Sequence, residues 1–202
     1  MHLNILSKAQ HDQLALLTKF KREFILVGGT AIALHIGHRK SIDFDLFKEK
    51  PFNKTKIKQK ISTQNYRYQL LYEDAESIHF MIDEVKWTFF YYPFAISDNL
   101  QKEKSFKTPD LLTLAAMKAY ALGRRAKWKD YVDLYFLMST WFSFEEVTDR
   151  STEIFGDAFS EKLFRQQLVY FEGIDKSEPV EWIVEQLSEA EIKKGLEDIA
   201  LI

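Results

Sequence analysis

The chain has 202 residues, 46% hydrophobic and 29% charged, which fits a globular protein and excludes a disordered or collagen-like one. It contains no Cys, so disulfides, thiolate metal sites and Cys nucleophiles are excluded. With 28 basic and 30 acidic residues the net charge is −2, so nucleic acid could be met only by a local basic patch.

The first ten residues carry no apolar signal-type segment, and no window has the ~20 apolar residues that span a bilayer. A cytosolic protein with no membrane partner is expected. The spacing of Leu14, Leu17 and Phe20 predicts an amphipathic helix over 6–19, followed by a short strand at 24–27. Gly28-Gly29 ends that strand, and Thr30 is placed to cap a helix that stops at Gly37. Residues 41–47 alternate strictly. They predict a strand with Ile42, Phe44 and Leu46 on one face and Ser41, Asp43, Asp45 and Phe47 on the other. Residues 48–60, with six lysines against Glu49, read as a loop running into a surface helix. Strands are predicted at 66–73 and 77–82, and a return strand from Val85 to Tyr92 makes 77–92 a hairpin. Thr108-Pro109-Asp110 marks a helix start with Thr108 as cap, and the helix runs from Leu111 to Leu122. A basic bend at 124–129 leads into a helix from Asp130 to Thr140, and 144–202 reads as further helices, the last opened by a Ser188/Glu191 capping box.

This order is α+β: a small mixed sheet with flanking helices, followed by a C-terminal helical part. The polar stretch 97–108 sets the expected boundary between parts 1–105 and 106–202.

Two local patterns carry the chemistry. Gly-Gly at a strand-to-helix turn lets the backbone approach a phosphate, and the helix start offers free N–H groups. Thirteen residues after Thr30, Asp43-x-Asp45 places two carboxylates on one strand face, within reach of a hard divalent cation. Either pattern alone is ordinarily only a turn or a solvated strand face. Together they are rare, and Arg39 and Ser41 lie between them.

The stretch Val27 to Phe47, with Gly28-Gly29-Thr30 and Ser41-Ile-Asp-Phe-Asp45, resembles the nucleotidyltransferase superfamily of DNA polymerase β type. With Ala116-Met-Lys-Ala-Tyr-Ala-Leu-Gly-Arg-Arg-Ala-Lys-Trp-Lys-Asp-Tyr-Val-Asp-Leu-Tyr135 it is most similar to the AbiEii/AbiGii type IV toxin family. The resemblance covers residues 20–140. It implies a nucleotidyltransferase-type sheet and transfer of a nucleotide from an NTP to an acceptor such as an RNA or tRNA end. It also implies a toxin–antitoxin or phage-defence setting with a cognate antitoxin. On this resemblance Gly28, Gly29, Thr30, Arg39 and Ser41 hold the nucleotide, Asp43 and Asp45 bind Mg²⁺ or Mn²⁺, and Lys118 and Asp130 complete the catalytic set. Arg124, Arg125, Lys127 and Lys129 flank that set and are expected to meet acceptor phosphates. Many superfamily members carry a third carboxylate on a later strand, where this chain has Thr88. The alternative is therefore a weak or inactive nucleotide- or RNA-binding module that acts through partner contacts. The segment from Glu172 to Asp198, with nine acidic residues against three lysines, is expected as an acidic tail opposite the basic patches.

Overall fold

The computed structural model of the protein describes residues 1–201. The predicted first helix is two helices, α1 (Lys8–Asp12) and α2 (Leu14–Phe20), broken at Gln13. The break has a polar cause. Gln13 is buried, its side-chain Nε2 donates to the Ile82 carbonyl at 2.8 Å, and its Oε1 accepts from Trp87 Nε1 at 2.6 Å. Both partners lie on the sheet, so this side chain fixes the helix pair to it.

Strand β1 (Ile25–Val27) passes directly into α3 (Gly28–Ile36), which ends at Gly37 in the left-handed region, φ 71°. β2 covers Phe44–Lys48, shorter than expected: Asp43 precedes the strand, and Ile42 is exposed rather than on the core face. α4 (Lys54–Ser62) follows the lysine-rich loop, with Asn53 as its cap. β3 (Tyr68–Glu73), β4 (Ser77–Ile82) and β5 (Val85–Tyr91) complete a five-stranded sheet in the order β1-β2-β5-β4-β3. Only the β2–β5 pair is parallel, so the sheet is mixed. The predicted hairpin is present, turning at Asp83, φ 47°.

The stretch 97–108 is more ordered than expected. β6 (Leu100–Lys102) and β7 (Lys107–Pro109) form a two-stranded ribbon, and β7 lies against β1. Burial of Phe106 and Thr108 anchors it. Thr108 and Pro109 therefore belong to a strand, and Asp110 caps the next helix by accepting from the Thr113 N–H at 2.7 Å. α5 (Leu111–Leu122), α6 (Trp128–Thr140), α7 (Phe144–Phe155), α8 (Glu161–Leu168) and α9 (Glu189–Leu201) form the helical part. The Ser188/Glu191 box opens α9 as expected.

Residues 169–188 are not helical. They cross back as an irregular strap whose backbone bonds to Lys40, His38, Ala126 and Trp128. Trp87, Phe20, Phe44, Phe80 and Phe89 fill the interior under the sheet, and Tyr131 lies in the same continuous apolar cluster on the helical side. Large aromatic side chains supply most of that burial.

Candidate active site

The antiparallel register of β1 and β2 pairs Val27 with Asp45, so the carboxylate stands beside the point where β1 becomes α3. Gly28 sits there with φ +73°, and a Cβ on it would lie 2.3 Å from Asp45 Oδ2. At Gly29 a Cβ would lie 2.6 Å from Arg39 Nη2. Two glycines are needed because a carboxylate and a guanidinium pack against the first turn of α3. No side chain caps that turn, so its first N–H groups remain open to an anion.

Thr30 is not the cap. Its hydroxyl shares hydrogen bonds with Ser41 Oγ at 2.9 Å and with the Asp43 carbonyl, tying α3 to the segment before β2. This link sets the position of Asp43 opposite the helix start.

Neither Asp43 nor Asp45 forms an ion pair among the described residues. Burial, then the charge of Asp45, raises the Asp43 carboxyl above its ordinary value. Burial also raises Asp45, against the pull of Arg125, Lys118, Lys86 and a hydrogen bond from Thr88. Two hard-oxygen donors with unbalanced negative charge fit a divalent cation such as Mg²⁺ or Mn²⁺. The parallel register sets Thr88 beside Asp45, and Thr88 faces His79 on β4. A neutral hydroxyl rather than a carboxylate thus stands beside Asp45, and no cluster of three His, Asp or Glu suited to a metal forms among the described residues.

Behind the pair lies a buried charge network. Lys118 Nζ is 2.7 Å from Asp130 Oδ1 and 3.0 Å from Asp133 Oδ2. Asp133 also accepts from Arg39 Nε at 2.7 Å, Arg39 Nη2 at 2.8 Å and His38 Nε2 at 2.8 Å. Burial opposes charge on Asp133, but Arg39, Lys118 and His38 outweigh it and hold its carboxyl well below the ordinary range. Burial likewise opposes the Lys118 ammonium, yet Asp130 and Asp133 raise it. His38 is lowered by burial, so a neutral ring donates Nε2–H to Asp133. Arg125 pairs with Asp130 Oδ2 at 2.9 Å from the solvent side. Lys118 and Asp130 therefore meet, as expected, and Arg39 joins them through Asp133.

Asp133 was not among the expected site residues. Its signal in the sequence is the three-residue spacing from Asp130, which puts both carboxylates on one face of α6. The strap was also missed. Its Glu178 pairs with Lys127 at 2.7 Å and Lys129 at 3.2 Å, and Glu181 pairs with Lys40 at 3.1 Å. Arg124 stacks 3.4 Å from the Tyr120 ring and donates to the Tyr120 and Ala158 carbonyls. All four cations of the bend already have partners. Glu178 of the acidic segment thus lies directly upon this basic patch, whereas Glu189 and Asp198 pair with lysines of their own segment.

A mixed sheet that sets a Gly-Gly helix start against an Asp-x-Asp pair is the nucleotidyltransferase fold. JHP933 from Helicobacter pylori shares it with a TM-score of 0.61 at 16% identity, covering 97% of this chain and 92% of that one. MenT4, a nucleotidyltransferase toxin from Mycobacterium tuberculosis H37Rv, gives 0.62 at 14% identity over 94% of this chain and 80% of its own.

Residues 14–65 match the family described as nucleotidyl transferase AbiEii toxin, type IV TA system, which bears out the resemblance over the first sequence block; the second block, 116–135, lies outside the match. A protein of Aquifex aeolicus (strain VF5) named "Uncharacterized protein aq_aa25" is 38% identical over 121 residues, 57% of this chain. The match spans 58% of that relative's length. No helix among the described residues is long and apolar enough to cross a membrane.

Proposed function

We propose that this chain is a cytoplasmic nucleotidyltransferase toxin. It would move a nucleotidyl group from an NTP to the hydroxyl of an acceptor, an RNA or tRNA end, as the toxin of a type IV toxin–antitoxin system with a phage-defence role. The observation that carries the reading is the open N-terminal turn of α3 set against the unpaired Asp43 and Asp45. The N–H groups at Gly28 and Gly29 receive the triphosphate, with Thr30 and Ser41 bracing the loop below it. Arg39, fixed behind Gly29 by Asp133, adds a permanent positive charge there. With Lys118 on α5 and Arg125, it makes three cations against the two carboxylates Asp130 and Asp133, which leaves positive charge in excess behind the turn. These charges favour departure of pyrophosphate as the acceptor oxygen bonds to the α-phosphorus. Asp43 and Asp45 would hold a divalent cation, which would supply charge neutralisation on the phosphates and acidify the attacking hydroxyl.

The test is incubation with each α-phosphate-labelled NTP, MgCl₂ and total RNA, for wild type, Asp43→Asn and Asp45→Asn. Label should enter RNA only with wild type, and EDTA should stop it. Thr88 beside Asp45 favours the second reading, a binding module without turnover. Tight NTP binding with no transfer of any label, to RNA or to protein, would establish that reading instead.

A further inference from the structure

The ribbon β6–β7 and the end of α2 enclose an open cleft of about 410 Å³, lined by Thr18, Lys21, Arg22, Lys102, Lys104 and Lys107. Five of these six are cations, and none of the five forms an ion pair among the described residues. Arg22, Lys102 and Lys104 make no side-chain hydrogen bond either among the described residues, whereas at the bend 124–129 three cations are ion-paired and Arg124 is held by Tyr120 and the Ala158 carbonyl. The cleft is built, not incidental. Lys21 Nζ bonds the Glu103 and Lys104 carbonyls, and Lys107 Nζ bonds the Arg22 carbonyl at 3.4 Å, so the two walls are clamped together. Burial lowers the Lys107 ammonium; nearby Glu49 opposes this, and Lys102 and Lys48 add to it. In the neighbouring cavity of about 150 Å³, by contrast, Glu23 pairs with Lys48 at 3.4 Å and Lys60 at 2.7 Å, so the unpaired charge is that of the cleft.

We propose that the cleft between α2 and the β6–β7 ribbon is the docking site for the sugar–phosphate backbone of the acceptor RNA. This rests on the RNA-acceptor reading given above and extends it to a surface that the two sequence blocks do not touch. Five cations on one cleft, none with an ion-pair partner among the described residues, are the electrostatic footprint of a polyanion. The lining has no apolar side chain, whereas a protein partner or a membrane surface needs apolar burial at its centre. The placement suits a long acceptor. Arg22 and Gly28 stand at opposite ends of β1, at most about 20 Å apart along the chain. On the order of six stacked nucleotides, at ~3.4 Å each, bridge that gap. The body of the RNA would thus rest on the cleft while its end reaches the α3 turn.

The test uses the full chain and a fluorescent RNA stem–loop with a single-stranded 3′ end, titrated across salt concentrations. The cleft variant is Arg22→Glu, Lys102→Glu and Lys104→Glu, all exposed positions. The control carries the same charge change at Lys8→Glu, Lys162→Glu and Lys194→Glu, also exposed. Binding of a fluorescent NTP with Mg²⁺ is read on each protein. The cleft variant should lose RNA affinity by at least about tenfold, and its log–log salt slope should flatten by roughly 0.7 for each lost contact. NTP binding should be unchanged, and the control should retain most RNA affinity. Equal RNA affinity and slope in wild type and cleft variant would overturn the proposal. So would cleft-dependent binding of poly-L-glutamate in preference to RNA, which would assign the cleft to an acidic protein. Failure of wild type to bind NTP, with RNA binding still lost only in the cleft variant, would support the cleft and count against the transferase reading.

Discussion

A methyl group on Gly28 has no room. The residue sits at φ +73°, where an L side chain is strained, and the new Cβ would lie 2.3 Å from Asp45 Oδ2. Gly28→Ala should therefore turn the Asp45 carboxylate away from the α3 start and cost about 1–3 kcal/mol of stability. Divalent-cation and NTP affinity should fall together, as followed by fluorescence titration and urea unfolding. Wild-type affinity in a protein of wild-type stability would show that Gly28 does not govern the site. This part of the site was readable from sequence because it is local. Gly28-Gly29 and Asp43-x-Asp45 are joined by one helix and one short connection to β2, so chain spacing alone brings them near. Thr30 was misread as a cap for an equally local reason: Ser41 and Asp43 compete successfully for its hydroxyl. Asp133 could not be placed that way, because His38 and Arg39 precede it by 95 and 94 residues.

At the scale of elements, Asp133 on α6 is what joins α5 and α6 to the end of α3. One buried carboxylate accepts from His38 and Arg39 beyond α3 and pairs with Lys118 on α5. Its removal leaves an uncompensated guanidinium in the interior, and breaking a buried pair on one side costs about 3–5 kcal/mol. Asp133→Ala should lose stability in that range in urea denaturation, while Arg125→Ala, on the exposed side of Asp130, should lose about 1 kcal/mol or less. A comparable loss for the two would show that the network is uniformly solvent-screened. The elements that went unread share a cause. The strap 169–188 is held by backbone bonds to residues 38–40 and 126–128, and no local periodicity announces such pairing. The break at Gln13 depends on Ile82 and Trp87, the latter 74 residues away. A helix with its own cap, such as α9 with Ser188 and Glu191, needs no distant partner and was found.

For the whole molecule, two sets of carboxylates pull stability in opposite directions with pH. Asp43 and Asp45 are raised in the fold, so they favour the protonated native state. Their contribution is full below the unfolded carboxylate value of ~3.9 and is lost as pH rises through their raised values. Asp130 and Asp133 are lowered, so their contribution is full above the ordinary value and is lost as pH falls through their depressed ones. His38, lowered by burial, acts in the same sense below ~6.5. The thermal midpoint of the cation-free protein should therefore pass through a maximum, with an acid limb set by the network and a decline toward neutrality set by the site pair. Mg²⁺ with NTP should reverse the neutral decline. A ligand at a hundredfold excess over its Kd adds about 2.7 kcal/mol, or roughly 5–10 °C at ~2–4 °C per kcal/mol for a chain of this size. Asp45→Asn should flatten the neutral decline and abolish the ligand shift, yet leave the acid limb where it was. A variant that still shifts with Mg²⁺ and NTP by the wild-type amount would place the cation and triphosphate somewhere other than the α3 turn.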